Sequence, residues 1–296
     1  MQDLQLQVKR SSKPLQMRDG INVYTVCYEP LGKCKGYIQV LHGMLEHTGR
    51  YDEMMSYFAS LGYIVFAHDQ RAHGHTANDQ LGIVDNSMYY EEDAQAVRAH
   101  YVKDRAQRYI LFGHSMGSFI ARQLVLTDDT IQEAIIASTG CPPRLAVRAG
   151  KTIAKYRDKQ QDNLLSKLTF LGFNRKFEGV TDVDWLSSDT KAVERYVADE
   201  MTGAVANSRF HEELFSLIER MYHNERNLSH QKRILFLGGT EDPVGKEGRD
   251  IRHLAKRYAK YNDVTLYMME NARHELLHER AKASVYAVME SWLQNE

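Results

Sequence analysis

Four short apolar runs, YIQVLHG, YIVFAHD, RYILFGHS and AIIAST, fall between residues 37 and 139, each separated from the next by a stretch with helical periodicity. Strands buried on both faces read as continuous apolar runs, because neither face is left for polar residues. Connections of about ten to fifteen helical residues suit crossover helices, so the runs are expected to lie parallel in one sheet with helices on both faces. Ahead of them, LQLQV and INVYTVCYE flank a turn containing Asp19 and Gly20, and are expected to pair as an antiparallel hairpin at one edge. The rhythm breaks at Pro142 and Pro143, and up to Ser229 the text is helical, as in DTKAVERYVADEM and SRFHEELFSLIERMY. It resumes with RILFLGG, a helical GRDIRHLAKRYAK, the strand VTLYMME and a closing helix of about twenty residues. The expected organisation is an α/β core built from residues 1–141 and 231–296. Residues 142–230 are then a helical cap inserted over the carboxyl ends of the strands, where such sheets keep their sites.

Length alone allows one large domain or two smaller ones. Of 296 residues 43% are apolar, enough for a sizeable core, and 38 basic against 39 acidic residues give no reason to expect a nucleic-acid partner. Cys27, Cys34 and Cys141 are odd in number and lack metal-type spacing, which suits a reducing compartment with the three as small buried apolar residues. The opening MQDLQLQVKR has no apolar h-region, and no apolar run reaches the roughly eighteen residues of a membrane span. A soluble, cytoplasmic protein is expected.

The strand-to-helix junction at RYILFGHSMGSFIARQL reads G-x-S-x-G from Gly113 to Gly117. In this context the serine sits on a sharp, strained turn and the two glycines let strand and helix pass without side-chain clashes. The helix N-terminus favours negative charge at the Ser115 hydroxyl. A serine hydroxyl is a weak nucleophile, so it needs a histidine base and a carboxylate that fixes the tautomer of that base. In this order of elements the acid follows the next-to-last strand, where TEDPVG offers Asp242, with Glu241 as the competitor. The base follows the last strand, where NARHELLHER offers His274.

That same stretch contains HELLH, which fits the zinc pattern H-E-x-x-H. Such a site needs a third protein ligand. After His278 the chain runs ERAKASVYAV, without the glycine and histidine of the longer motif, and only Glu290 and Glu296 lie beyond Glu279. His274 is therefore expected to serve Ser115 and Asp242, with Glu275 and His278 belonging to the closing helix and no metal bound. The tetrahedral intermediate also needs two backbone N–H donors, expected from Met116, after the nucleophile, and Met44, in the loop after YIQVLHG.

Together these segments resemble the α/β-hydrolase superfamily, in particular its branch of monoacylglycerol lipases and lysophospholipases, the serine aminopeptidase-like hydrolases. HGMLEHTGRY is similar to that branch's H-G-x-x-E-H-x-x-R-Y segment and HDQRAHGHT to its D-x-R-x-H-G segment; GHSMGS, GGTEDPVG and NARHELLHE complete the set. DVDWLSSDTKAVERYVADEMTG is similar to cap segments of bacterial members, so the likeness covers most of the chain. The resemblance implies an α/β-hydrolase fold with an antiparallel edge and a helical cap. It implies Ser115, Asp242 and His274 as triad, Met44 and Met116 as oxyanion amides, and ester hydrolysis without metal or organic cofactor. Two departures are Ser118, where the family often has a second glycine, and Ala72, where D-x-R-G-H-G would have one.

Other polar residues are expected to support this site. Asp69, Arg71 and His73 read as structural, a buried Asp–Arg pair pinning a loop. Glu46 and His47 either pin the oxyanion loop or meet a polar head group, and Glu46 and His114 are taken as substrate-binding candidates. Arg144, Arg148, Lys151 and Lys155 fall at helical steps on one face, which would draw the cap to anionic lipid surfaces or acidic head groups. The function expected first is a serine esterase acting on monoacylglycerol, lysophospholipid or a similar single-acyl ester. A proline iminopeptidase-like enzyme, using Asp182, Asp184 or Asp189 to hold a free amine, is the alternative, and a non-catalytic binder the third.

Overall fold

The computed structural model describes residues 8–77, 81–83, 86–157, 163–177, 179–225 and 231–295. Its first part runs β1 (Val8–Gln16), β2 (Asn22–Pro30), β3 (Gly36–Leu41), α1 (Asp52–Ser60), β4 (Tyr63–His68), α2 (Met88–Tyr101), β5 (Tyr109–His114), α3 (Met116–Thr127) and β6 (Glu133–Ala137). Four helices follow, α4 (Arg144–Lys155), α5 (Asn163–Thr169), α6 (Thr190–Ala198) and α7 (Ser208–Asn224). The chain then returns through β7 (Arg233–Gly239), α8 (Arg249–Tyr258), β8 (Asp263–Met269) and α9 (Lys282–Gln294). One eight-stranded sheet has the order β1-β2-β4-β3-β5-β6-β7-β8. β1 and β2, and β2 and β4, pair antiparallel, and all other neighbours pair parallel.

The apolar runs form strands because the pleat sends alternate side chains to opposite faces and both faces are covered. Tyr37, Leu111, Ile136, Ile234 and Phe236 point to the layer of α2, α3, α7 and α8. Ile38, Val40, Ile110, Phe112, Leu235 and Leu237 point to α1 and α9. Leu41 stands opposite Gly113 and His114 opposite Ala137, so the carboxyl ends of the central strands finish level, and the loops leaving them meet.

The edge hairpin has a different first arm from the one expected. Val8–Gln16, not LQLQV, pairs along Asn22–Pro30, from Val8 opposite Pro30 to Gln16 opposite Asn22; residues 4–7 lie outside the described residues. VKRSSKPLQ is mostly exposed and carries Pro14, which an edge strand tolerates, so it has no apolar alternation to reveal it. The closing helix is also shorter than expected. Residues Leu276–His278 form a separate 3-10 turn and α9 starts at Lys282, so Glu275 and His278 stand outside it. The reason is local: Glu275 with ψ 75° and Glu279 with ψ 157° take non-helical backbone on either side of the turn, so it cannot run on into α9.

Between β6 and β7 the described residues contain helices and no strand. Phe210, Leu214, Leu217 and Met221 make one buried stripe of α7 that joins the main core. Arg220 donates to Glu91 at 2.5 Å and to the Ser87 hydroxyl at 3.0 Å, fastening α7 to α2 and the residue before it. Arg122, fully buried on α3, donates to Thr139 Oγ1 and the Gly140 carbonyl, both at 3.0 Å, and pairs with Glu225. One guanidinium thus ties the point where the chain leaves the sheet to the point where α7 ends. Removing one partner of such a buried pair typically costs about 3 to 5 kcal/mol. No helix of the described residues is long and apolar enough to cross a membrane.

Candidate active site

Ser115 occupies the turn between β5 and α3 with φ 52° and ψ −117°, in the region that side chains rarely adopt. The glycines on either side allow it. A Cβ on Gly113 would meet the Ala121 Cβ at 2.7 Å, and one on Gly117 would meet the His42 carbonyl at 2.6 Å. Ser118, the residue standing for a second glycine, is buried and donates from its hydroxyl to the Ser115 carbonyl at 2.5 Å, so it braces the turn. Ala72 takes φ 67°, a left-handed conformation that costs a residue with a Cβ about 1 to 2 kcal/mol.

A chain of hydrogen bonds leaves Ser115. His274 Nε2 lies 2.9 Å from Ser115 Oγ, and His274 Nδ1 lies 3.0 Å from Asp242 Oδ1. Asp242 is buried and also accepts the Val244 N–H at 2.9 Å, whereas Glu241, its neighbour, is exposed. The carbonyl of His274 accepts the Ser138 hydroxyl at 2.5 Å and is 3.3 Å from His114 Nε2. The structure therefore brings Ser115, Asp242 and His274 together across 159 and 32 residues of sequence separation.

The loop after β3 passes against this group, a Cβ on Gly43 lying 3.2 Å from the Ser115 Cβ. Among the described residues neither the Met44 nor the Met116 amide has an acceptor, and Met116 opens α3, where helical N–H groups are unpaired. Glu46 shapes the loop from below. Its Oε1 accepts the Gly43 N–H at 2.5 Å and the Tyr51 hydroxyl at 2.7 Å, and its Oε2 accepts Arg50 at 2.6 Å. Arg50 also holds Glu275 with two contacts of 2.6 Å. Tyr51 reaches His114 Nδ1 at 3.0 Å.

Burial alone would raise the carboxyls of Glu46 and Glu275; Arg50, joined by His114 and His42 at Glu46 and by His278 at Glu275, holds both below the usual range. Burial likewise opposes a charged His114, and the hydrogen bond and charge of Glu46, with the charge of Glu275 and the His274 carbonyl, together overcome it and shift the imidazole upward. The polar atoms of Glu46 and His114, expected at the substrate, are thus engaged with protein groups: Gly43, Arg50 and Tyr51 for Glu46, and Tyr51, Glu46 and the His274 carbonyl for His114. Glu275, expected in the closing helix, is the partner of an arginine 225 residues away.

Asp69 and Arg71 are both buried, but they do not pair with each other. Arg71 holds Asp93 at 2.6 Å and Asp19 in the hairpin turn at 2.5 Å, while Asp69 accepts the Thr48 N–H at 2.8 Å and its hydroxyl at 2.7 Å. Each pins a different loop, because residues two apart leave the strand end toward different neighbours. His47 Nε2 lies 2.8 Å from Asp199, at the end of α6, so His47 ties the loop after β3 to the inserted helices. The basic face of α4 turns toward α7: Arg144 donates to the Tyr222 carbonyl at 3.3 Å, and Arg148 and Lys151 pair with Glu219 at 3.7 and 2.7 Å. Of the acids considered for an amine, Asp184 accepts from Thr181 at 3.0 and 2.9 Å, Asp189 caps α6, and Asp182 is exposed. The three cysteines are free, and burial pushes the Cys27 thiol up to about 12. Among the described residues no group of three or more His, Cys, Asp or Glu is arranged to hold a metal ion.

Four further histidines set the response to acid. Burial lowers His42, His68 and His278 to about 4 and His73 to about 3. Among the described residues His68 has no hydrogen-bond partner at either ring nitrogen. The unfolded chain takes up these protons near the ordinary value of about 6.5. Between there and the folded values the unfolded state binds more protons, so stability is full above that range and is lost as pH falls through it. Urea midpoints are expected to decline steadily from about pH 7 to about pH 5, each histidine adding at most about 1.4 kcal/mol per pH unit. A flat series would contradict the neutral buried state.

Comparison with known proteins matches residues 32–281 to the family described as Serine aminopeptidase, S33. The chain is 30% identical over 138 residues to a monoglyceride lipase homolog of Monkeypox virus, covering 45% of this chain and half the length of that relative. It is 26% identical over 288 residues to the monoglyceride lipase of Mus musculus, covering 94% of this chain and 88% of the mouse protein. Among solved structures it is similar to a highly thermostable carboxyl esterase from Bacillus coagulans in complex with glycerol, at 25% identity and a TM-score of 0.83 over 96% of this chain and 99% of the other.

Proposed function

This chain belongs to the serine aminopeptidase, S33, family, and on that premise we propose that it hydrolyses carboxylic esters through an acyl-enzyme on Ser115. The observation that carries the reading is the hydrogen-bond chain from Ser115 Oγ through His274 to Asp242, at 2.9 and 3.0 Å, on a serine with positive φ. Ser115 Oγ attacks the ester carbonyl and its proton passes to His274 Nε2. Asp242 keeps the imidazole in the tautomer that carries hydrogen on Nδ1 and stabilises the imidazolium that forms. The Met44 and Met116 amides receive the negative charge of the tetrahedral oxygen. His274 then hands its proton to the departing alcohol. A water, deprotonated by the same imidazole, attacks the acyl carbonyl and releases the acid, and Ser115 regains its proton. No metal or organic cofactor enters these steps.

The substrate class is a single-acyl ester such as monoacylglycerol or lysophospholipid, and residues 142–230 act as the cap that shapes its pocket. Similarity to one monoglyceride lipase, that of Mus musculus, along 94% of the chain supports this class. The commitment of Asp184 and Asp189 to local hydrogen bonds gives no support to an amine-binding peptidase. A substrate panel tests the proposal: short and long acyl esters, monoacylglycerol, lysophospholipid and an N-terminal-proline amide, with fluorophosphonate labelling in parallel. The expected result is label on Ser115 and turnover of the esters, with the amide left intact. Preference for the amide would replace this reading with a peptidase, and absence of both label and turnover would leave a binding protein.

A further inference from the structure

His274 is flanked by two rings. His114 stands 5.0 Å away, centroid to centroid, and on the side of the inserted helices the indole of Trp185 stands 5.1 Å away. Trp185 belongs to a short 3-10 turn, Asp184–Leu186, and is 7% exposed. Phe170, just beyond α5, stacks on the indole at 5.7 Å, and Phe173 meets it edge-on at 5.2 Å.

The segment that carries Trp185 is fastened to the loop that carries His274. The Trp185 and Leu186 carbonyls accept the His274 and Glu275 N–H groups at 3.4 and 2.7 Å. Arg273, the residue before the base, donates to the Asp184 and Ser187 carbonyls at 2.6 and 3.0 Å. Buried Glu279 accepts the Arg273 N–H at 2.7 Å and the Ser188 N–H at 3.1 Å. On the far side, Asn174 Oδ1 accepts the Trp185 N–H at 2.9 Å. The indole is therefore set from both directions relative to the imidazole, by hydrogen bonds along the backbone and by two phenyl rings behind it.

Hydrogen bonds to Asp242 and Ser115 fix two points on the edge of the His274 ring, and the Cβ–Cγ bond restrains rocking about the line between them only as far as the side chain's own torsions do. The indole, tilted 47° to the imidazole, packs where such rocking would carry the ring. We propose that Trp185 is a positioning residue for His274, holding the imidazole in the plane from which Nε2 faces Ser115 Oγ while Nδ1 faces Asp242. The inference rests on the reading of His274 as the base. A displacement of a catalytic group by about 1 Å can cost about 10²-fold in rate, and this sets the size of the effect.

The test compares wild type with Trp185→Ala and Trp185→Phe, reading kcat and KM on one ester and the downfield proton resonance of His274 Nδ1–H on Asp242. In Trp185→Ala, kcat is expected to fall about 10²-fold with KM changed less than about threefold, and the resonance to broaden or vanish. Trp185→Phe, which keeps an aromatic surface, is expected to recover most of kcat and the resonance. Wild-type kcat in Trp185→Ala, or a loss carried wholly by KM with the resonance intact, would overturn the proposal. If Trp185→Ala does not fold, Phe170→Ala and Phe173→Ala decide it by the same two readouts, with smaller losses in the same direction expected. If wild type hydrolyses no ester, the resonance alone decides. Its loss in Trp185→Ala would then support the positioning role while the hydrolase reading failed.

Discussion

Ser115→Ala is expected to lower kcat on an ester substrate by about 10⁶-fold, equivalent to about 8 kcal/mol of lost transition-state stabilisation. The whole nucleophilic route depends on one oxygen, which lies 2.9 Å from the nitrogen that accepts its proton. The methyl that replaces it offers no electron pair, and what remains is substrate binding and the two amides. Folding should change little, because the strained turn is held by the Ser115 N–H to the Ala137 carbonyl at 3.1 Å and by Ser118, neither of which involves the lost hydroxyl. Steady-state kinetics with an unfolding curve on the same preparation checks both halves. A variant that retains more than a small fraction of wild-type turnover would show that another group attacks.

Asp242→Asn is expected to cost about 10⁴-fold, from a change of a single atom type. The carboxylate accepts from His274 Nδ1 at 3.0 Å and from the Val244 N–H at 2.9 Å. Both reach the same oxygen, Oδ1, so an amide oxygen placed there keeps both contacts but not the negative charge that stabilises the imidazolium. In the flipped amide the NH2 group faces His274 and donates, so the imidazole must carry its own hydrogen on Nε2, where it can no longer take a proton from Ser115. Glu241→Gln, at the exposed neighbour, should leave activity near wild type. The pair of kcat/KM values measures which acid serves the histidine, and the reverse pattern would transfer the role to Glu241.

What could be read in the chain beforehand followed from tight local constraints. A serine between two glycines at a strand-to-helix junction is legible because the backbone approaches itself there too closely for a Cβ, as Gly113 and Gly117 show. Central strands are legible because burial on both faces leaves an unbroken apolar run. Asp242 and His274 could be placed because each follows a strand end, and strand ends finish level in a parallel sheet. Pairings between distant segments were not legible. Arg50 meets Glu275 across 225 residues, and nothing in either neighbourhood names the other. Asp69 and Arg71 look like a pair because they stand two apart in sequence, yet their partners lie on other segments. Periodicity tells which residues of α4 share a face but not that this face meets Glu219 and Tyr222. Trp185 sits in a segment similar to family caps and Ser138 at the end of an apolar run, but nothing in either points to His274, and only the fold brings them there.

Ser115 is the hinge of the account, and a rapid-quench experiment interrogates it directly. The protein is mixed with excess of a single-acyl ester, quenched in acid within the first turnovers and digested for peptide mass spectrometry. The expected result is the mass of one acyl group on the peptide that contains Ser115, appearing in a burst and vanishing as substrate is exhausted. Hydrolysis that proceeds without acyl mass there, or with it on a different residue, would contradict the mechanism.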